Sequence, residues 1–210
     1  MSIADELISK FTTDSENYDL LQKASEEIAD VEGISLEIGL RQGGGSKYMI
    51  DGLLKSGKKR THIAIDPYGS MDYLYTDEFI VSPGWYPDTE RDLAVPGLLL
   101  YCSKTPINFL FFQMTDDQFF KRFEDGVPVY VSGEEELLTK YALVHFDGPH
   151  TTETTLAETV FFEARASVGA RFVYDDVHGF YRHEIIRQYL IERGWEVTYT
   201  SPKKIVYKKN

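Results

Sequence analysis

The chain has 210 residues, 42% hydrophobic and 27% charged, a composition that suits one soluble globular domain with a sizeable core. Its formal net charge of −12 repels phosphate backbones, which argues against a nucleic-acid partner unless one face is locally basic. No apolar run approaches the roughly 20 residues that span a bilayer, MSIADELISKF lacks the features of a signal peptide, and the single Cys102 excludes an intrachain disulfide; a cytoplasmic protein with no membrane partner is the expectation.

In chain order, residues about 1–30 are expected to be helical, because Tyr18, Leu20, Leu21, Ala24, Ile28 and Val31 recur at helical spacing. ISLEIGL reads as a buried strand, followed by the Gly-rich RQGGGS and a helical KYMIDGLLKSG. RTHIAIDPYG is a second strand that stops at Asp66 and Pro67, completing a βαβ unit. Residues 68–106 are acidic, aromatic and turn-rich, and end in a helix, DLAVPGLLLYCSK, that carries Pro96. A connection this long is either a lid or a structured insertion that pads the fold or makes a contact between copies, and both readings stay open. Cys102 within it reads as a buried structural thiol.

INFLFFQM reads as a strand and TDDQFFKRF as a helix with an Asp- or Thr-rich start. VPVYVSGEEELLTK is either a loop with a short helix or a strand of its own. YALVHFD is a strand, TTETTLAETVFFEARASVG a helix ending at Gly169, and ARFVYDD a further strand. YRHEIIRQYLIERG is a helix capped by Gly194, and WEVTYTSPKKIVYKK forms two strands around a Ser-Pro turn. The alternation predicts a single α/β domain over 1–210, with a mostly parallel sheet, helices on both faces and an antiparallel edge. The basic clusters KSGKKR at 55–60 and KKIVYKK near the C-terminus read as solvated surface lysines.

Ligands of open α/β sheets bind outside the carboxyl ends of the strands. Four of the five strand ends here carry an acid at or just past the last strand residue, with Asp66, Asp116, Asp147 and the pair Asp175 and Asp176 on one rim. Any one of them has a simple reading as a cap or turn former; four on one rim exceed what capping explains. The glycine loop LEIGLRQGGGSKYM fits neither G-x-G-x-x-G nor a P-loop. Asp66 can accept hydrogen bonds from both hydroxyls of a ribose or can cap the turn before Pro67.

Taken in order, LEIGLRQGGGS, HIAIDPYG, YALVHFDGPH and ARFVYDDVH, closed by WEVTYTSPKKIVYKK, resemble the class I S-adenosylmethionine-dependent methyltransferases over roughly residues 30–210. Within that superfamily the pattern is similar to small-molecule O-methyltransferases of the catechol type and to antibiotic-sugar O-methyltransferases. The resemblance implies a Rossmann-like, seven-stranded sheet. It places Glu37 and Gly39 at the methionine end of S-adenosylmethionine, Gly43 in the tight loop, and Asp66 on the ribose. Ser46 and Asp147 join that cofactor-binding set, and Met114 to Asp116 border the adenine, unless VPVYV is the third strand instead. Asp147, Asp175 and Asp176 would hold a divalent metal, usually Mg²⁺. Three converging carboxylates call for a cation, and oxygen-only ligands suit Mg²⁺, Mn²⁺ or Ca²⁺.

The implied function is metal-assisted O-methylation of a small hydroxylated molecule such as a sugar. In these families the base is a Lys or Asp two or three residues past the first metal acid. Here Pro149 and His150 stand at those positions, which makes His150 the candidate base, since histidine titrates near neutrality; a cap at the start of the next helix is its other reading. His178 is a secondary candidate, His145 reads as packed, and His183 as surface. Tyr73, Tyr75, Trp85 and Tyr86 can stack on a ring or sugar. Departures from the pattern are Arg41 and Gln42 in the glycine loop, a Ser46 one residue late, and the absent Lys or Asp base. A non-catalytic nucleoside- or metal-binding protein and a nicotinamide-dependent oxidoreductase are the competing readings. Homo-oligomerisation is left open.

Overall fold

The computed structural model describes residues 6, 11–13, 15–69, 71–81, 85–131 and 133–210. Of the helical stretch expected within about 1–30, helix α1 (Asp19–Glu27) is described, while residues 1–5, 7–10 and 14 lie outside the described residues. The order then runs β1 (Ile34–Ile38), α2 (Gly44–Lys55), β2 (Arg60–Ile65), β3 (Tyr73–Leu74), β4 (Ile80–Val81), α3 (Asp88–Cys102), β5 (Ile107–Phe112) and α4 (Asp116–Arg122). It continues with β6 (Val127–Val131), β7 (Glu134–Leu138), β8 (Tyr141–Phe146), α5 (Thr152–Glu163), β9 (Ala166–Tyr174), α6 (His183–Ile191), β10 (Trp195–Thr200) and β11 (Ile205–Lys209).

Seven strands form one sheet in the order β10-β11-β9-β8-β1-β2-β5. The pairs β1/β2, β2/β5, β1/β8 and β8/β9 are parallel, and β11 and β10 close one edge antiparallel. This is the expected mostly parallel sheet with an antiparallel C-terminal hairpin. Strand alternation sorts each side chain to one of two helical layers. Ile34, Leu36 and Ile38 of β1 join Phe119, Phe162, Ile186 and Leu190 of α4, α5 and α6 on one face. On the other, Leu21, Met49, Leu53 and Leu98 of α1, α2 and α3 pack with Leu143 and Val173. Each fully buried side chain of this size contributes about 1.5–3 kcal/mol. Cys102 sits in the second layer, and burial pushes its thiol up to about 11, so it is structural as expected.

INFLFF is the third strand, β5, paired with β2. VPVYV lies outside the main sheet and forms a hairpin with β7. Val127 and Val129 point into the core while Glu134, Glu135 and Glu136 are exposed, so a run of glutamates is tolerated on an outer strand. The helix expected to end at Gly169 stops at Glu163. Gly169, with φ +83°, instead serves the register shift between β8 and β9. Helix termini and bulges both demand a left-handed residue, so glycine alone does not separate them. Of residues 68–106, α3 is a layer of the fold, while Leu74 of β3 and Tyr75 beside it overhang the carboxyl rim.

The basic cluster at 55–60 is not a free positive face. Arg60 donates to the carbonyls of Gly33, Ile28 and Val31, and Lys55 and Lys58 pair with Glu26 and Asp30.

Candidate active site

Strand order reverses at β1: from β1 the parallel strands progress outward to β2 and β5, then continue on its other side as β8 and β9. A crevice opens at such a switch point. Its two walls meet at Gly39, where φ is +86° and an added Cβ would lie 2.0 Å from the carbonyl oxygen of Asp147. Gly39→Ala is therefore expected to cost about 2–4 kcal/mol, combining left-handed strain with overpacking; an unchanged urea midpoint would contradict this contact.

The crevice contains a cavity of about 520 Å³ whose lining includes Gly39, Asp66, Met114, Asp116, Asp147, His150 and Asp176. That size falls in the usual range of small-ligand sites, about 300–1,000 Å³. Seven of the expected site residues thus share one cavity. Glu37, Gly43, Ser46 and Asp175 are not on its wall.

Glu37 and Ser46 lie beneath the glycine turn. The Glu37 carboxylate accepts a hydrogen bond from Ser46 and contacts Nδ1 of His145 at 2.9 Å. Ser46 also meets Nε2 of His62 at 2.8 Å, and His62 Nδ1 meets Ser35 at 2.9 Å. All five side chains are at most 1% exposed. Burial holds His62 down to about 3, so it is neutral. Gly45 is required above them, since a Cβ there would fall 2.0 Å from a Glu37 oxygen. His145 is packed as expected. Ser35 and His62 were not anticipated; their signal is a polar residue at an inward position of an otherwise apolar strand.

Asp66 ends β2 at the cavity wall. Its carboxylate accepts the backbone N–H groups of Arg41 and Tyr68 at 2.9 and 2.8 Å, and burial raises its pKa to about 6. Carboxylate oxygens have further lone pairs available. Across the crevice, Thr115 caps α4 in a capping box with Gln118, which fixes Met114 and Asp116 on the wall.

His150 occupies the opposite end and is 4% exposed. Its Nε2 stands 3.8 Å from an oxygen of Asp147 and 3.8 Å from one of Asp176. The ring is boxed by Tyr75, Phe180 and Tyr181 at centroid distances of 5.5, 6.0 and 6.1 Å. Its backbone N–H donates to the Tyr75 carbonyl at 2.7 Å, and Asp77 of the overhang accepts from the Thr152 N–H and hydroxyl. The helix cap is Thr151, whose side chain accepts the Thr154 N–H, so His150 does not serve as the cap. Leu74, Tyr75, Trp85 and Tyr86 line the cavity, with the Arg41 guanidinium 5.0 Å from the Tyr86 ring; Tyr73 lies in β3.

The two acids of VYDD part company. Asp175 is 1% exposed and turned away from the cavity, with Lys204 Nζ 2.6 Å from Oδ2. That approach lies off the line of a hydrogen bond, so charge holds the pair. Its Oδ1 accepts from Ser15 and from the Asp176 N–H. Asp176 faces the cavity, with Lys203 Nζ 2.7 Å from Oδ1. Lys204 is fully buried, which overturns the reading of that cluster as solvated lysines. Lys208 and Lys209 pair with Glu196 and Glu163. His183 is also buried rather than at the surface: it bonds the hydroxyls of Tyr181 and Tyr207, and burial lowers it to about 4. His178 is exposed. Among the described residues, the trio with potential ligand atoms within 4.8 Å of one another is Glu37, His145 and Asp147, of which the first two already bond each other.

No protein-family model and no curated protein sequence matches the chain. Solved structures do match. The fold is shared with the S-adenosylmethionine-dependent methyltransferases. The calicheamicin methyltransferase CalS11 aligns with a TM-score of 0.58 at 16% identity, over 97% of this chain and 78% of that one. An O-methyltransferase from Bacillus cereus in complex with SAH aligns at 0.55 and 12% identity, covering 98% and 90%. An rRNA methylase from Streptococcus thermophilus aligns at 0.55 and 12%, covering 94% and 99%. At such identities the likeness is one of fold, and it spans acceptors of very different kinds, so the acceptor has to be read from the site.

Proposed function

We propose that the chain is a cytoplasmic S-adenosylmethionine-dependent O-methyltransferase acting on a small hydroxylated molecule such as a sugar. The observation that carries this reading is one cavity with a nucleoside-type carboxylate, Asp66, on its wall and an imidazole flanked by two carboxylates, His150, at its other end. The neighbour CalS11 is described as a TDP-rhamnose 3′-O-methyltransferase, which supports a sugar acceptor. Both basic clusters are engaged in intramolecular pairs, which leaves little free positive charge for an rRNA backbone. Among the described residues no helix is long and apolar enough to cross a membrane.

When bound, S-adenosylmethionine supplies an electrophilic sulfonium methyl to the acceptor oxygen. Asp66 would accept from the ribose hydroxyls, and Met114, Thr115 and Asp116 would border the adenine. Tyr75, Trp85 and Tyr86 offer faces for the acceptor. His150 would take the acceptor's proton at Nε2, and Asp147 and Asp176 would stabilise the imidazolium that forms. The aromatic box around His150 keeps water from it.

Calorimetry on the full chain with S-adenosylmethionine, S-adenosylhomocysteine and NAD tests the reading. Binding of the S-adenosyl compounds and not NAD is expected; binding of NAD alone overturns it. Binding without transfer to any of a broad hydroxylated panel would favour the non-catalytic reading.

Asp66 adds a pH signature. Its pKa is raised to about 6, and a ligand that donates to the carboxylate favours the ionised form. Affinity should therefore hold above pH 6 and fall about tenfold per unit below it. In Asp66→Asn that pH dependence should disappear along with much of the affinity. A flat wild-type profile between pH 5 and 7 would remove Asp66 from the ribose site.

A further inference from the structure

The carboxylates expected to hold a divalent cation do not fit one. Asp175 is spent on Lys204 and Ser15 and faces away from the cavity. Asp176 reaches the cavity from a left-handed backbone, φ +47°, with one oxygen against Lys203 and the other toward His150. A divalent cation would have to displace one ammonium and rotate a buried carboxylate away from another.

We propose that Lys203 and Lys204, from the turn between β10 and β11, supply at the carboxyl rim the positive charge that a divalent metal would supply, so that this chain works without a metal. Three carboxylates meet at this end of the crevice: Asp147, Asp175 and Asp176. The two ammonium groups balance two of them.

The lysines are built in rather than incidental. Lys204 is fully buried, with its ammonium 4.1 Å from the Tyr18 ring centroid and 3.3 Å from the Ser15 hydroxyl. Lys203 spans from the turn to Asp176 over the ring of Phe180, 5.6 Å from its centroid. The backbone ties the turn to the same rim, since the Val177 N–H donates to the Lys203 carbonyl. The Ser-Pro turn that ends the chain's last hairpin thus completes the catalytic end of the crevice.

The inference rests on the function proposed above, and its test separates the two. Chelator-treated full chain is titrated with Mn²⁺ and the free-ion electron paramagnetic resonance signal is followed, while S-adenosylhomocysteine binding is measured by calorimetry in EDTA and in Mg²⁺. Wild type is expected to leave the Mn²⁺ signal undiminished at equimolar concentration and to bind S-adenosylhomocysteine equally in both buffers. Lys203→Gln, at a half-exposed side chain whose loss the fold tolerates, should uncover Asp176 and bind Mn²⁺ at least about tenfold more tightly than wild type. Stoichiometric Mn²⁺ binding by wild type that Asp176→Asn abolishes overturns the inference. So does a Lys203→Gln variant that binds Mn²⁺ no better than wild type. Failure of S-adenosylhomocysteine to bind in either buffer strikes the proposed function instead, and the Mn²⁺ result still decides the lysines.

Discussion

His150→Ala is expected to slow methyl transfer by about 10²–10⁴-fold, the usual contribution of a positioned general base. Binding of S-adenosylhomocysteine should hardly change, because Asp66, Met114 and Asp116 lie at the other end of the cavity. The imidazole is 4% exposed and boxed by three rings, so truncation also leaves a void and costs stability. Rates are therefore to be compared well below the melting temperature, with His150→Gln as a second variant that keeps most of the volume. Single-turnover rates with saturating cofactor read the chemical step directly. A rate within about threefold of wild type in both variants would remove His150 from the mechanism. A loss in Ala that Gln restores would make it a packing residue.

The second large effect is on stability. Asp175→Ala leaves the ammonium of Lys204 buried without its counter-ion, and removing one member of a buried pair costs about 3–5 kcal/mol. For a chain of this length that corresponds to a fall in melting temperature of about 6–20 °C. Asp175→Leu with Lys204→Met removes both charges and should recover most of the loss, because well-packed apolar replacements of buried pairs are close to neutral. The contrast with a metal site is one of sign. In a metal-free triad of carboxylates, removing one acid relieves repulsion and stabilises the chain. Urea unfolding of Asp175→Leu, Lys204→Met and the double variant decides between them, and a coupling between Asp175 and Lys204 below about 1 kcal/mol would contradict the buried pair.

Much of this architecture was legible because periodicity and rim position are local signals. The alternation in ISLEIGL and YALVHFD, and the acids that end them, placed a parallel sheet and its ligand edge. Seven of the expected residues do line one cavity. What was not legible is how those acids are answered. Lys203 and Lys204 lie 27 and 29 residues beyond the acids they meet, 203 − 176 = 27 and 204 − 175 = 29, on a hairpin whose fold-back brings them to the rim. Nothing in KKIVYKK marks Lys204 as buried. Glu37 and Ser46 belong to the expected loop yet face beneath it, because the same loop can be held from below by His62 and His145 or filled from above by a ligand. His183 was misread for a related reason: at the start of an amphipathic helix, inside and outside positions differ by one residue. Gly169 was misplaced because a helix end and a bulge demand the same left-handed backbone.

The overhang and the loop of His150 are stitched together, by Tyr75 through its carbonyl and by Asp77 through its carboxylate. Under the proposed function, an acceptor that entered past Tyr75 would have to part that seam, and parting it would free the backbone that holds the imidazole. His150, as the proposed base, would then be in register only while the overhang is shut. Turnover under this arrangement is paced by opening and closing, so the overall rate should track solvent viscosity while the chemical step within the closed form does not. Ordered binding would follow as well under the proposed function, with the cofactor first at the Asp66 end and the acceptor second.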